Sequence, residues 1–236
     1  MMQIQRFWIG IFLSISSAVG SCELLIAAAS DLSSLESELI QALPDCKVRI
    51  AFGSSGTLAR QIRSGADFDV YLAANKGFVT DLVRDRKADA SSVTPYARGR
   101  VAFWSRDRLQ WPNLSSVRYL ALANPDLAPY GLAARQALER SGLWKQIESR
   151  VVYGESIRQA WQFARSGNAD AAIVSWSLVR SEGGELLPAT LHDLIEQTGV
   201  IPQSAGHPRE GRRFLKWLVS PAGQKIVAAS GLEAIR

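Results

Sequence analysis

Cysteine and histidine are nearly missing from this chain: its 236 residues hold two of each. Cys22, Cys46, His192 and His207 do not fall at spacings that build a zinc or other transition-metal cage, which needs three or four such ligands converging. No histidine stands in a recognised nucleophile arrangement, and Gly53-Ser54-Ser55-Gly56 is not the Gly-x-Ser-x-Gly of a hydrolase elbow. A Walker-type phosphate loop is also missing. So are internal repeats, low-complexity segments and any lysine or arginine cluster interleaved with aromatics. Enzymatic, metal-centred and nucleic-acid-binding readings therefore have little to stand on. The balance of 27 basic and 22 acidic residues, +5 net, gives a diffuse positive field of the kind that raises encounter rates with small anions.

Long apolar runs are scarce too. Only one is notable, Phe7 to Ile15, and it follows Arg6 and precedes the small residues Ser16 to Ser21. A basic start, a short apolar stretch and small residues describe a secretory signal over residues 1–21, too short to span a bilayer comfortably. A buried N-terminal helix is the plainer alternative. Removal of residues 1–21 takes away Arg6 and no acid, and the remaining protein is expected to be exported and soluble.

Export gives the two cysteines a context. Cys22 opens the run ending at Ser30, and Cys46 opens the run ending at Ser54, each eight residues before its serine. If the two runs are adjacent parallel strands, the cysteines sit side by side and can pair in an oxidising compartment. The competing reading is a lipid anchor, because Val19-Gly20-Ser21-Cys22 loosely resembles a lipoprotein cleavage box, with Val where Leu is usual.

What the chain does have is regular alternation. Continuous apolar runs at 24–29, 48–52, 69–74, 101–104, 119–123 and 171–174 read as buried strands, with a shorter one at 151–152. Between them lie helical patterns, such as Leu32, Leu35, Leu39 and Ile40 on one face, or the stretch from Ser156 to Gly167 opened by the capping box Ser156-Ile157-Arg158-Gln159. The stretch 124–131 reads as a loop leading into a helix from Leu132. Ser220 with Pro221 reads as the start of the last helix. This pattern predicts an α/β fold with two mostly parallel sheets flanked by helices, joined by crossings near residues 98 and 200. The lobes are then 22–98 plus 200–236, and 99–199, with a cleft between them. The tryptophans read as core or hinge packing, and the two histidines as solvated surface residues.

Four junctions put serine, glycine or bare backbone at a helix start: Ser30-Asp31, Ser54-Ser55-Gly56-Thr57, Tyr130-Gly131 and Ser156-Ile157. A helix N-terminus offers free N–H donors and partial positive charge, which favour an anion. Each is also an ordinary cap when taken alone. Only the Gly-Ser-Ser-Gly turn exceeds what a single cap requires.

Taken in order, several segments resemble the periplasmic molybdate-binding proteins of ABC transporters. They are Ala27-Ala28-Ala29-Ser30, Phe52 to Ile62, Gly65 to Ala74, Pro129-Tyr130-Gly131, Glu155-Ser156-Ile157-Arg158 and Ala172-Ile173-Val174. The resemblance runs from about Leu25 to Ile235. It implies a two-lobed periplasmic-binding-protein fold of type II, with a hinge that closes the interlobe cleft on a tetrahedral oxyanion. Carried over residue by residue, it implies an oxyanion site of Ser30 and Ser55 through their hydroxyls, and Tyr130 and Ile157 through their backbone N–H groups. Where many relatives carry a tyrosine after the Ile-Val pair, this chain has Ser175, whose shorter side chain leaves its reach to the anion open. Tyr130 is then a candidate for the missing hydroxyl. Asp31, beside the expected site, should point away from a dianion or accept N–H groups of its own helix.

The function so implied is capture of molybdate or tungstate for an ABC permease by a monomeric, exported protein. It has no cofactor and no catalytic residue, and no metal is ligated directly. It contacts no nucleic acid and meets the membrane only through the permease or an anchor at Cys22. The alternatives are a binding protein for another oxyanion or small organic anion, a serine hydrolase using Ser54 or Ser55, and a ligand-sensing module.

Overall fold

A computed structural model describes residues 22–235; the expected export signal, residues 1–21, lies outside the described residues. Strands β1 (Cys22–Ala29), β2 (Cys46–Gly53), β3 (Val70–Ala73) and β4 (Thr94–Gly99) alternate with helices α1 (Glu36–Ile40), α2 (Ser55–Arg63) and α3 (Lys76–Arg84). There follow β5 (Val101–Ser105), β6 (Leu120–Ala123), α4 (Pro129–Arg140), α5 (Trp144–Ile147), β7 (Val151–Gly154), α6 (Ile157–Ser166), β8 (Ala171–Ser175), α7 (Trp176–Val179) and β9 (Glu185–Leu186). Then come β10 (Ile195–Val200), α8 (Pro208–Leu218), α9 (Pro221–Ala229) and β11 (Glu233–Ala234).

These strands form a six-stranded sheet, in the order β11-β4-β10-β3-β1-β2, and a five-stranded sheet, in the order β7-β6-β8-β5-β9. The two-lobed α/β reading holds, but "mostly parallel" needs correction, because each sheet is mixed. The strands at each lobe's centre pair in parallel, β1 with β2 and β3, and β6 with β7 and β8. The strands nearest the crossings, β4, β10 and β5, pair antiparallel with their neighbours.

Both faces of β1 are covered, and for that reason its sequence is apolar at consecutive positions. Leu24, Ile26 and Ala28 pack with Leu32, Leu39, Phe214 and Leu218 on one side. Ala27 packs with Leu58, Ile62, Tyr71 and Leu82 on the other. The second lobe closes around β6 and β8, with small residues of α4 and α6 (Ala133, Ala134, Ala137, Ala160 and Ala164) allowing close approach of helix to sheet.

The first crossing falls at Arg100, between β4 and β5. The second comes earlier than the sequence predicts. Residues 195–199, placed in the second lobe by sequence, belong to β10 and pair with β3 and β4 of the first. The polar string Glu196-Gln197-Thr198 conceals this strand, yet Gln197 and Thr198 are fully buried in it. Strand β4 escapes the sequence reading for a similar reason: Pro95 and Arg98 interrupt its apolar pattern, although Tyr96 and Ala97 are buried.

Two helix starts also differ. The segment after Ser30 is a 3-10 helix over Ser30–Leu35 that continues into the short α1. Helix α4 begins at Pro129 rather than Leu132, because proline suits the first helical position, where no N–H is needed. His192 is buried and not a solvated surface residue, and its Nδ1 lies 2.7 Å from the Asp193 carbonyl oxygen. Cys22 and Cys46 are register partners in β1 and β2 and form a disulfide.

Candidate functional site

A small cavity lies where helix starts of both lobes meet. Its lining is Ala29, Ser30, Asp31, Gly53, Ser54, Ser55, Ala74, Ala128, Pro129, Tyr130 and Ile157. Four of the five residues singled out from sequence are therefore brought together: Ser30 and Ser55 from the first lobe, Tyr130 and Ile157 from the second. Ser175 is not among the lining residues. It is fully buried behind the wall, with its Oγ 3.0 Å from the Ser177 Oγ. Among the described residues, no lysine, arginine or histidine lines the cavity.

Local structure explains each contributor. Ser54 is the N-cap of α2, and its hydroxyl accepts from the Thr57 N–H at 3.3 Å and donates to the Thr57 hydroxyl at 2.8 Å. That commits Ser54 to the cap and leaves Ser55 for other work. The Ser55 Oγ accepts from the Ala74 N–H at 3.0 Å, which fixes its rotamer while its own hydrogen stays available to donate. Ser30 sits at the end of β1, and its carbonyl accepts from the Ser33 hydroxyl at 2.9 Å. Tyr130 is the second residue of α4, and Ile157 the first of α6. Backbone N–H groups at those positions have no intrahelical acceptor. Ser156 caps α6 by accepting from the Gln159 N–H, and Gln159 returns a bond to the Glu155 N–H, one residue earlier than a standard capping box. The wall thus presents hydroxyls and helix-start amides, which together favour an anion.

Four hydrogen bonds tie the lobes together around the cavity, one of them from Gln197 Nε2 of β10 to the Tyr130 hydroxyl at 3.0 Å. The Gly56 N–H donates to the Leu127 carbonyl at 2.8 Å. A Cβ at Gly56 would lie 2.9 Å from that same oxygen, so the second glycine of the Gly-Ser-Ser-Gly turn permits the lobes to meet. The Ser177 hydroxyl donates to the Asp31 carbonyl at 2.9 Å. The Tyr130 hydroxyl donates to Asp31 Oδ2 at 3.0 Å. Tyr130 therefore spends its hydroxyl on Asp31, and the suggestion that it replaces a missing ligand hydroxyl is corrected. Gly99 makes this reach possible, since a Cβ there would lie 2.2 Å from the Tyr130 hydroxyl.

The expectation that Asp31 turns away from the site or accepts N–H groups of its own helix is corrected: it lines the cavity, and its side-chain donors come from other elements. Asp31 points away from the helix that follows it and toward Tyr130 and Gln197, whose Nε2 also donates to Oδ2. Burial pushes its acid up to about 7, against the lowering effect of the Gln197 and Tyr130 hydrogen bonds. Burial likewise raises the phenols of Tyr130 and Tyr96, with the nearby Asp31 charge adding to both. The only hint of this arrangement in the sequence is a carboxylate next to the first serine.

Beyond the cavity the cleft widens into a recess of about 500 Å³ that shares Ser30, Gly53 and Ser54 with it and is bordered by Gln61, Glu155, Arg158, Gln159 and Gln162. A groove of about 620 Å³ elsewhere, between the start of β4 and α8, holds none of the predicted residues.

Comparison with known proteins bears on what such a cleft is for. Residues 24–233 match the family described as bacterial extracellular solute-binding protein. A molybdate-binding protein ModA of Rhodobacter capsulatus is 32% identical over 192 residues, covering 78% of this chain and 76% of that one. The ModA of Azotobacter vinelandii is 32% identical over 197 residues, covering 78% of each. The solved periplasmic molybdate-binding protein of Azotobacter vinelandii superposes with a TM-score of 0.83 at 26% identity, over 90% of this chain and 100% of that one. Among the described residues, no helix is long and apolar enough to cross a membrane. Fold, cleft and sequence agree: this chain belongs to the bacterial extracellular solute-binding protein family.

Proposed function

We propose that this protein captures molybdate or tungstate in the periplasm and delivers it to an ABC permease. The observation that carries the reading is the convergence of Ser30, Ser55, Tyr130 and Ile157, two from each lobe, on one cavity without a cationic side chain. The anion is held by the Ser30 and Ser55 hydroxyls and by the N–H groups of Tyr130 and Ile157. Ser175 acts behind the wall through Ser177. Similarity at about a third of positions to proteins named for molybdate binding supports the choice of ligand.

The physical logic is replacement of a hydration shell by fixed dipoles. Hydrogen bonds to a charged partner are shorter and stronger than neutral ones, the more so once the closing lobes exclude water. A micromolar to nanomolar site needs roughly 8 to 12 kcal/mol, within reach of several such bonds after ordering costs. Sulfate is tetrahedral and doubly charged as well, so selection rests on the size of the closed cavity. Closure joins both lobes into the surface that a permease reads. No catalytic step, cofactor or directly ligated metal enters this scheme. Cys22 is bridged to Cys46, which supports the disulfide over the lipid anchor, and in this scheme the mature protein acts as a soluble monomer.

The polar recess bordering Ser30 and Ser54 favours a second reading, a small organic anion whose charged head sits in the cavity and whose remainder fills the recess.

Thermal unfolding with molybdate, tungstate, sulfate and phosphate in turn tests the proposal. A ligand that binds only the folded state adds RT ln(1 + [L]/Kd) of stability. A rise in Tm with molybdate and tungstate alone supports it; a rise with sulfate or phosphate instead, or with none of the four, contradicts it.

A further inference from the structure

The capture scheme above uses neutral donors and leaves one wall residue without a part. Asp31 lines the same cavity as Ser30, Ser55, Tyr130 and Ile157 and is fully buried. Its Oδ2 takes both available donors, the Tyr130 hydroxyl and Gln197 Nε2. Its Oδ1 is buried with no hydrogen-bond partner. An ionised carboxylate with one bare oxygen is costly in such a place, and a doubly charged anion a few ångströms away makes it costlier.

The surroundings offer no compensating charge. Helix α4 presents the phenol of Tyr130, β4 that of Tyr96, β10 the amide of Gln197 and α7 the hydroxyl of Ser177. Among the described residues, no lysine, arginine, histidine or second carboxylate is a cause of the Asp31 shift. The charged residues of the same region are engaged elsewhere: Glu196 with Lys76, Arg100 with Glu233, and Arg158 at the mouth of the cleft.

We propose that the site binds its anion together with one proton, carried by Asp31. The proton goes to Oδ1, the oxygen without a donor, and turns a negative charge in the cavity wall into a neutral hydrogen-bond donor. This rests on the anion-capture reading and deepens it. The acid is already poised near 7 by burial, and an anion in the cavity moves it further in the same direction. Below that range the proton is in place before the ligand arrives, and binding takes up none. Above it, binding must draw the proton from solvent, so Kd rises by up to about tenfold per pH unit until the titration of the complex is passed. A singly charged anion perturbs Asp31 less than a doubly charged one, so the loss of affinity with rising pH is smaller for a monoanion.

The test is calorimetric titration of the mature protein with sodium molybdate at about pH 8, in buffers of different ionisation enthalpy, the slope giving the protons taken up. The expected result is uptake approaching one proton for the natural protein and none for Asp31→Asn, with a Kd that rises with pH only in the former. Binding without proton uptake across the range from about pH 7 to 9 overturns the proposal, as does equal uptake by Asp31→Asn. If Asp31→Asn does not fold, infrared difference spectra of the natural protein decide: molybdate must create a carboxylic acid band at the expense of a carboxylate band. Failure to bind molybdate at about pH 6, where Asp31 is already protonated, removes the anion reading itself and this inference with it, a result distinct from binding without protons.

Discussion

The Tyr130 hydroxyl and Asp31 Oδ2 lie 3.0 Å apart, one carried by the first turn of α4 and the other by the segment after β1, so this single hydrogen bond spans the two lobes beside the cavity. It gives Tyr130 two separable tasks. In the proposed scheme its backbone N–H faces the anion, while its side chain bonds across the lobes to Asp31. Tyr130→Phe should therefore keep the donor and weaken the clasp, lowering affinity several-fold without loss of fold. Calorimetry with molybdate checks this, and unchanged affinity would show that the clasp plays no part in closure.

Ser55→Ala removes a hydroxyl from the wall and strips the Ala74 N–H of its acceptor. A hydrogen bond to a charged partner is worth roughly 1.5–3 kcal/mol, so affinity should fall by about tenfold or more. The orphaned amide should also cost the folded protein about 1 kcal/mol, read as a lower Tm without ligand. Ser54→Ala should act mainly on stability through loss of the α2 cap, at about 1 kcal/mol. Equal effects of the two variants on affinity would contradict the division of labour between the serines.

Gly56→Ala tests closure by sterics. The added Cβ meets the Leu127 carbonyl oxygen at 2.9 Å, a contact made only when the lobes are together. Within the first lobe the same Cβ comes closest to the ring tip of Phe78, at 3.2 Å, so the ligand-free protein should lose little stability. Molybdate affinity should fall, and small-angle scattering should show less compaction on adding ligand.

The disulfide joins residues 24 apart in sequence, and the loop-entropy picture assigns it roughly 3 kcal/mol. Cys22→Ser with Cys46→Ser should lower Tm and leave molybdate affinity close to its natural value, because the bridge lies at the strand starts and the anion cavity at the strand ends.

Asp31 also sets a pH dependence of stability. Its acid is raised in the folded state from 3.8 to about 7, so between about 4 and 7 the folded protein holds a proton that the unfolded chain has lost. Stability contributed by this group is thus fully present below about 4 and declines as pH rises toward about 7. Asp31→Asn should remove that decline, and the gap between the two Tm–pH curves should widen over this window. Parallel curves would contradict it.

Much of this was legible in the residues because burial and geometry leave marks there. The apolar runs of β1, β2 and β8 follow from being covered on both faces. The pairing of Cys22 with Cys46 follows from equal spacing to Ser30 and Ser54. The four wall residues stand at helix starts, where serine and glycine are informative. Illegible were the features that depend on contacts between residues far apart in sequence. Gly56 reads as part of a cap until Leu127 is seen against it. Gln197 and Thr198 look like loop residues but lie buried in β10. Nothing local distinguishes Asp31 from an ordinary acid in a first helical turn, because its donors come from residues 99 and 166 positions away.

The most direct measurement is a crystal structure of the mature protein with molybdate, the metal located by its anomalous scattering. The account predicts one peak between the lobes, with oxygens in hydrogen-bond range of the Ser30 and Ser55 hydroxyls and of the Tyr130 and Ile157 N–H groups. A peak in the outer recess against Arg158, or a ligand touching only one lobe, would contradict it.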